Sequence, residues 1–185
     1  MKVAFLDRDG VINVDLGYLH RVEDFMYTEG CIDALRVISD RGFGIVIVTN
    51  QAGIAHGYYT ESDFHKLMKW LIADLNSHGI KILDYFFCPH HPQGKVPKYS
   101  KLCDWRKPSP GMILHAVNKY SIDIAKSFLV GDKETDLEAA KLAGLAKYFL
   151  VRGGEKALKE IANFEKVYKD IRTLVLSGDC FVDET

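Results

Sequence analysis

Val3-Ala4-Phe5-Leu6-Asp7-Arg8-Asp9-Gly10 is an apolar run that stops at two carboxylates one residue apart. Strands buried in a parallel sheet read as near-continuous apolar runs, and ligands of open α/β sheets gather at the carboxyl ends of such strands. Asp7 and Asp9 therefore fall where a sheet of this kind keeps its site, and a period of two puts both on one face. Asp-Arg-Asp-Gly is also an acceptable charged turn closing a strand. The rest of the chain has to decide between the two readings.

Downstream, short apolar runs alternate with amphipathic segments, with no internal repeat, low-complexity tract or Pro/Gly/Ser linker. Gly44–Val48, Ile82–Phe87, Ser127–Val130 and Lys147–Val151 read as further strands. Cys31–Arg41 reads as a helix stopped by Gly42, and Glu134–Ala143 as one with Gly144 beyond it. Thr60, with Asp63 three residues on, caps a helix through about Ser77, whose Phe64, Leu67, Met68, Leu71, Ile72 and Leu75 hold the helical period. Ser109-Pro110 reads as the N-cap and first-turn proline of a helix through about Tyr120. A helical pair and a flexible tail over residues 177–185 complete the chain. The alternation predicts an α/β fold, a three-layer Rossmann-like parallel sheet with helices on both faces, as a single domain over residues 1–185 without a large cap.

With 48% apolar and 26% charged residues and a net charge of -1, the composition excludes disorder and makes nucleic acid an unexpected partner. The apolar stretch before Asp7 is too short for an export signal or a membrane span. Cys31, Cys88, Cys103 and Cys180 are irregularly spaced, which argues against a disulfide framework and leaves reduced thiols or a metal site. A cytoplasmic protein with neither a membrane nor a nucleic-acid partner is expected.

The strand ends decide the reading of the opening motif. Asp7 and Asp9 follow the first strand, Thr49-Asn50-Gln51 the second and Gly131-Asp132 the fourth, all delivered to one sheet edge. Three gathered aspartates repel one another unless a cation sits among them. An incomplete set of hard oxygen ligands suits Mg²⁺, which keeps waters that a phosphate can replace. A phosphate-bearing substrate is expected.

These residues resemble the haloacid dehalogenase superfamily of aspartate-nucleophile phosphatases, through Asp7-x-Asp9, Thr49, Lys107 and Gly131-Asp132-x3-Asp136. Within it, residues 3 to about 154 look like the D-glycero-D-manno-heptose 1,7-bisphosphate phosphatases and their histidinol-phosphatase relatives. The matching blocks are Phe5–Gly10, Asn13–Tyr18, Val48–Ile54, Cys88–Pro92, Arg106–Met112 and Val130–Lys133.

The resemblance implies that Asp7 attacks phosphorus to form an aspartyl-phosphate, and that Asp9 is the acid/base, with a pKa above the roughly 3.9 of a free Asp. It further implies that Asp7, Asp132 and the backbone carbonyl of Asp9 hold Mg²⁺, with Asp136 one helical turn along lying outside that set. Thr49 and Lys107 would bind the equatorial oxygens. Asp15, Gly17, Tyr18, Asn50, Gln51, Arg106 and Lys133 would recognise the substrate, with Arg106 suited to clamp a second phosphate and the amides to meet sugar hydroxyls. The expected substrate is a small phosphorylated sugar, the heptose bisphosphate losing its 7-phosphate, ahead of histidinol phosphate or another small phosphosugar. A binding module without turnover would have no need to keep Asp9, Lys107 and Asp132 together.

One segment departs from that family. Relatives with a zinc loop read Cys-Pro-His at one end and Cys-Asp-Cys before Arg-Lys-Pro, whereas this chain has Cys103-Asp104-Trp105-Arg106. Cys88, His90 and Cys103 supply three ligands where a structural zinc site needs four, and Trp105 supplies none. Either His91 or water completes a weakened site, or Trp105 packs the loop apolarly; a lost or weakened site is expected. Other histidines read as surface or capping residues, Cys31 and Cys180 as inert, and Trp70 as a core edge.

Overall fold

The computed structural model describes residues 1–151 and 167–181. Six parallel strands form one sheet in the order β3-β2-β1-β4-β5-β6: β1 Val3–Leu6, β2 Gly44–Asn50, β3 Ile82–Cys88, β4 Phe128–Gly131, β5 Lys147–Val151 and β6 Val167–Tyr168. The order runs outward from β1 in one direction, returns, and continues from β4 in the other. The crevice between the carboxyl ends of β1 and β4 is thus the topological switch point, where such sheets bind ligands.

Strand alternation divides the core between the two faces. Ala4, Leu6, Ile45, Ile47, Phe128 and Val130 pack against helices α1 (Cys31–Asp40), α3 (Glu61–Ser77) and α6 (Ile171–Ser177). Val3, Phe5, Val46, Val48 and Leu129 pack against α4 (Gly111–Tyr120) and α5 (Glu134–Leu142). Both faces being covered explains why β1, β2 and β4 read as continuous apolar runs. Thr60 and Asp63 make the expected reciprocal capping box at the start of α3. Among the described residues no helix is long and apolar enough to cross a membrane.

Several boundaries differ from the sequence reading for identifiable reasons. Strand β2 runs two residues past Val48 because Thr49 and Asn50 pair with Phe87 and Cys88 of β3. Ser127 lies outside β4; its hydroxyl donates to Asp123 O and accepts from Val3 N–H. Ser109 is not the N-cap of α4. Pro110 holds that position without a side-chain bond, and Gly111 N–H donates to Asp104 O, an approach so close that a Cβ at 111 would lie 2.3 Å from that oxygen. A five-residue helix α2 (Ala52–His56) follows β2 and was not expected. Of the carboxyl-terminal helical pair, α6 is present, and residues 152–166 lie outside the described residues. Edge strand β6 was not expected, two residues being too few to show a period.

The flexible tail is corrected through Phe181. Cys180 and Phe181 are buried, with the Phe181 ring against Phe43 and Phe128 and the Arg41 guanidinium 4.1 Å from its centroid. Residues 182–185 lie outside the described residues. Phe181→Ala is expected to cost about 3 kcal/mol, as core Phe truncations do. Urea unfolding measures it, and a loss below about 0.5 kcal/mol, the level of a surface change, would mean the segment is a tail after all.

Candidate active site

Asp7 continues β1, its backbone N–H donating to Val130 O at 3.0 Å, so its side chain leaves the sheet at the switch point. Asp132 follows β4, and Asp136 caps α5 by accepting from Lys133 N–H. Ligand oxygens of Asp7, Asp132 and Asp136 all lie within 4.8 Å of one another. Two glycines permit this crowding. A Cβ on Gly10, whose φ is +85°, would stand 2.4 Å from Asp132 Oδ2, and one on Gly131 would stand 2.2 Å from Asp136 Cβ.

Lys107 enters from the loop before α4 and is buried. Its Nζ lies 2.8 Å from Val48 O, 3.1 Å from Asp7 Oδ1 and 2.5 Å from Asp136 Oδ1. Burial acts to lower its pKa, but the Asp136 and Asp7 carboxylates outweigh that and hold it above the ordinary lysine value. Asn50 fixes the backbone of Lys107 at two points, its Oδ1 accepting from Lys107 N–H and its Nδ2 donating to Lys107 O, each at 3.0 Å.

Asp9 has a different environment. Its Oδ1 accepts from Arg8 Nη2 at 2.9 Å and Asn13 Nδ2 at 3.0 Å, and its Oδ2 from Arg8 Nη2 at 2.9 Å and Gln51 Nε2 at 3.1 Å. Gln51 Nε2 also donates to Thr49 Oγ1 at 2.8 Å, which leaves the Thr49 hydroxyl proton available to the cavity. That cavity, of about 490 Å³, is lined by Asp7, Asp9, Thr49, Lys107 and Asp136, and by Asp15, Gly17, Tyr18, Asn50, Gln51, Arg106 and Lys133. Every substrate-recognition residue expected from sequence thus borders it, while the amides of Asn50 and Gln51 are committed to the protein. At the rim, Lys133 Nζ lies 3.2 Å from Asp15 Oδ2, and Asp15 Oδ1 accepts from Gly17 N–H. Sequence reading assigned no role to Arg8, Asn13 or Tyr59. The first two lie inside matching blocks, whereas nothing in the sequence singles out Tyr59.

The remaining cluster is Cys88, His90 and Cys103, whose ligand atoms also lie within 4.8 Å of one another. His91 is not among them: its Nδ1 accepts from Gln93 N–H and its ring lies beside His56. The Trp105 ring packs against Phe86 and His115. Arg106 leaves this loop toward the cavity, with Nη1 donating to His90 O at 3.3 Å.

An open parallel sheet with an Asp-x-Asp strand end, a buried Lys and a carboxylate cluster at its switch point defines a hydrolase of the haloacid dehalogenase (HAD) class, and a HAD-hydrolase-like family model matches residues 104–174. The chain is 54% identical to the D-glycero-alpha-D-manno-heptose-1,7-bisphosphate 7-phosphatase of Photorhabdus laumondii, over 88% of this chain and 89% of that protein. It is 46% identical to the corresponding beta-named enzyme of Yersinia pestis, over 86% and 85%. The D,D-heptose 1,7-bisphosphate phosphatase of B. bronchiseptica, solved with magnesium and phosphate, superposes with a TM-score of 0.80 at 29% identity, over 96% of this chain and 97% of that one. The chain belongs to the heptose bisphosphate phosphatase family of the HAD superfamily and is a phosphoric monoester hydrolase.

The donor chemistry fits a hard divalent cation. Burial pushes the Asp7 carboxyl up to about 8, with Lys107 pulling it down and Asp136, Asp132 and Asp9 adding to the rise. Burial likewise raises Asp132 to about 6 against the pull of Lys133. The site thus lacks positive charge that a cation supplies. An unfolded Asp titrates near 3.8, so between about 4 and 8 the native state holds protons that the unfolded chain has released. In chelator, stability is therefore expected to fall as pH rises from 5 to 8, with Asp7→Asn flattening the slope and Mg²⁺ stabilising more at pH 8 than at pH 5. Melting temperatures across that range check it; a flat or rising profile with Asp7 intact would contradict it.

Proposed function

We propose that this chain removes the 7-phosphate of D-glycero-D-manno-heptose 1,7-bisphosphate through an aspartyl-phosphate, working in the cytoplasm. The observation that carries the mechanism is the pairing of two aspartates in unlike surroundings: Asp7 against Lys107 within a carboxylate cluster, and Asp9 held by hydrogen-bond donors. The substrate is supported by the relatives' names, and the α anomer is the first to test because the α-named relative shares more of the sequence. Four unpaired thiols support a reducing compartment.

In this reading an Asp7 oxygen attacks phosphorus in line, forming the acyl-phosphate bond while the bond from phosphorus to the sugar oxygen breaks. Asp9 gives its proton to the departing oxygen and then accepts one from the water that cleaves the aspartyl-phosphate, which returns both groups to their starting state. The Lys107 ammonium and Thr49 hydroxyl bind the equatorial phosphoryl oxygens. Asp7, Asp132 and the backbone carbonyl of Asp9 would hold Mg²⁺; Asp136, bonded to Lys107 and to Lys133 N–H, stands outside that set. When bound there, the cation offsets charge on the transferring phosphoryl group. Arg106 holds the second phosphate, and Asp15 and Lys133 meet sugar hydroxyls at the rim.

Asp7→Asn is expected to abolish phosphate release, and kcat/KM in Mg²⁺ is expected to favour the heptose bisphosphate over histidinol phosphate by at least about tenfold, as a site built around a second phosphate does. Release surviving Asp7→Asn would remove the nucleophile, and a preference for histidinol phosphate would replace the substrate.

The loop carrying Arg106 and Lys107 is read as held by Trp105 packing, with Cys88, His90 and Cys103 an incomplete zinc set. Metal analysis of protein purified without chelator is expected to find well below one zinc per chain, and Trp105→Cys is expected to raise it to one. A full equivalent in the unsubstituted protein would overturn this.

A further inference from the structure

Gln51 is buried, and both ends of its amide are used inside the protein. Nε2 donates to Asp9 Oδ2 at 3.1 Å and to Thr49 Oγ1 at 2.8 Å; Oε1 accepts from Tyr59 OH at 2.6 Å, with Arg8 Nη2 at 3.5 Å. An amide can turn end for end at little steric cost, because its oxygen and nitrogen are nearly the same size. Turned, Gln51 would set a carbonyl oxygen against the Asp9 carboxylate and withdraw the donor to Thr49. Two donors at Oε1 oppose that turn. Arg8 cannot accept a hydrogen bond, and burial raises the Tyr59 hydroxyl pKa above its ordinary value, so Tyr59 keeps the proton it donates.

The Tyr59 ring is itself fixed from two sides. It stacks on His20, with centroids 4.8 Å apart and planes 9° from parallel. It also lies against α2 at Gly53, where a Cβ would stand 2.2 Å from Tyr59 Cε1, so the backbone there admits only glycine beneath the ring. Tyr59 borders the same cavity, and its hydroxyl donates to Gln51, which makes the contacts to Asp9 and Thr49.

We propose that Tyr59 is a positioning residue that acts through Gln51 to hold Asp9 in place as the acid for the leaving oxygen. This rests on the reading of Asp9 as the acid/base. Without the Tyr59 hydroxyl, Gln51 samples both orientations, and Asp9 Oδ2 is left with Arg8 as its one fixed donor of two. Proton donation matters most when the leaving oxygen is a poor leaving group, as a sugar alkoxide is, and little when it belongs to an acidic phenol. A misplaced acid therefore costs rate on the sugar phosphate selectively, whereas damage to Asp7, Lys107 or the fold costs rate on both.

The test compares kcat/KM for the heptose bisphosphate with that for p-nitrophenyl phosphate, in Mg²⁺, for the unsubstituted enzyme, Tyr59→Phe, Gly53→Ala and Asp9→Asn. Tyr59→Phe keeps the ring and loses one hydroxyl; Gly53→Ala keeps every hydrogen-bonding group and displaces the ring. Both are expected to lower the sugar-to-aryl ratio by about tenfold, with a larger fall in Asp9→Asn, within the 10²–10⁴ that general acids typically contribute. If Asp9→Asn lowers the ratio and the other two leave it unchanged, or lose activity equally on both substrates, the positioning role fails alone. If Asp9→Asn leaves the ratio unchanged, the acid assignment fails and the positioning role with it.

Discussion

One buried ammonium offsets part of the carboxylate charge at the sheet edge. Lys107 Nζ touches Asp7 and Asp136, and Asp132 stands in the same cluster, so the described site holds more buried negative charge than positive. Burying a charge is costly unless it is paired, and the site answers that cost only in part, which is why Asp7 and Asp132 titrate high. That imbalance fits the chemistry of the family: a pocket short of positive charge suits a divalent cation, which Asp7 and Asp132 would hold and whose charge would join that of Lys107 opposite a phosphoryl group. The glycines at 10 and 131 belong to the same constraint, since a side chain at either position would push the carboxylates apart.

Lys107 comes from a loop, and its position depends on what holds that loop. Asn50, the last residue of β2, brackets the Lys107 backbone from the rigid sheet, while Trp105 anchors the preceding turn between β3 and α4. The loop thus has one polar and one apolar attachment independent of Cys88, His90 and Cys103. The Trp105 ring fills the core edge on that side of the loop, against Phe86 and His115.

What could be read from the sequence was what local chemistry determines. Strands β1 and β5 and the Thr60 capping box agree with the expectation to the residue, because apolar runs and cap spacing are short-range signals. That Asp7, Asp9, Thr49 and Asp132 would gather at one sheet edge was legible because strand ends converge in a parallel sheet, whereas Lys107, carried on a loop, was reached only through the resemblance. Long-range packing was not: Phe181 lies in the core because Phe43, Phe128 and Arg41 receive it, and the sequence of a short polar-flanked tail carries no trace of that. Asn50 and Gln51 had the residue type for meeting sugar hydroxyls, but which way an amide faces depends on neighbours far along the chain. Tyr59 was invisible for the same reason.

The two aspartates of the opening motif owe their unlike surroundings to the residue between them. Asp7 and Asp9 share a strand end and a face, yet Arg8 is fully buried and serves each differently. Its backbone N–H donates to Asp7 Oδ1 at 2.8 Å, and its guanidinium reaches Asp9 and Leu19 O. Asp7 is thereby left facing Lys107 and the carboxylates, where a nucleophile can be steadied by cations. Asp9 is drawn toward Arg8, Asn13 and Gln51, groups that orient a carboxylate without filling the cavity in front of it. A strand end with two like acids presents two unlike environments because a single buried arginine, set over the Phe64 ring, separates their surroundings.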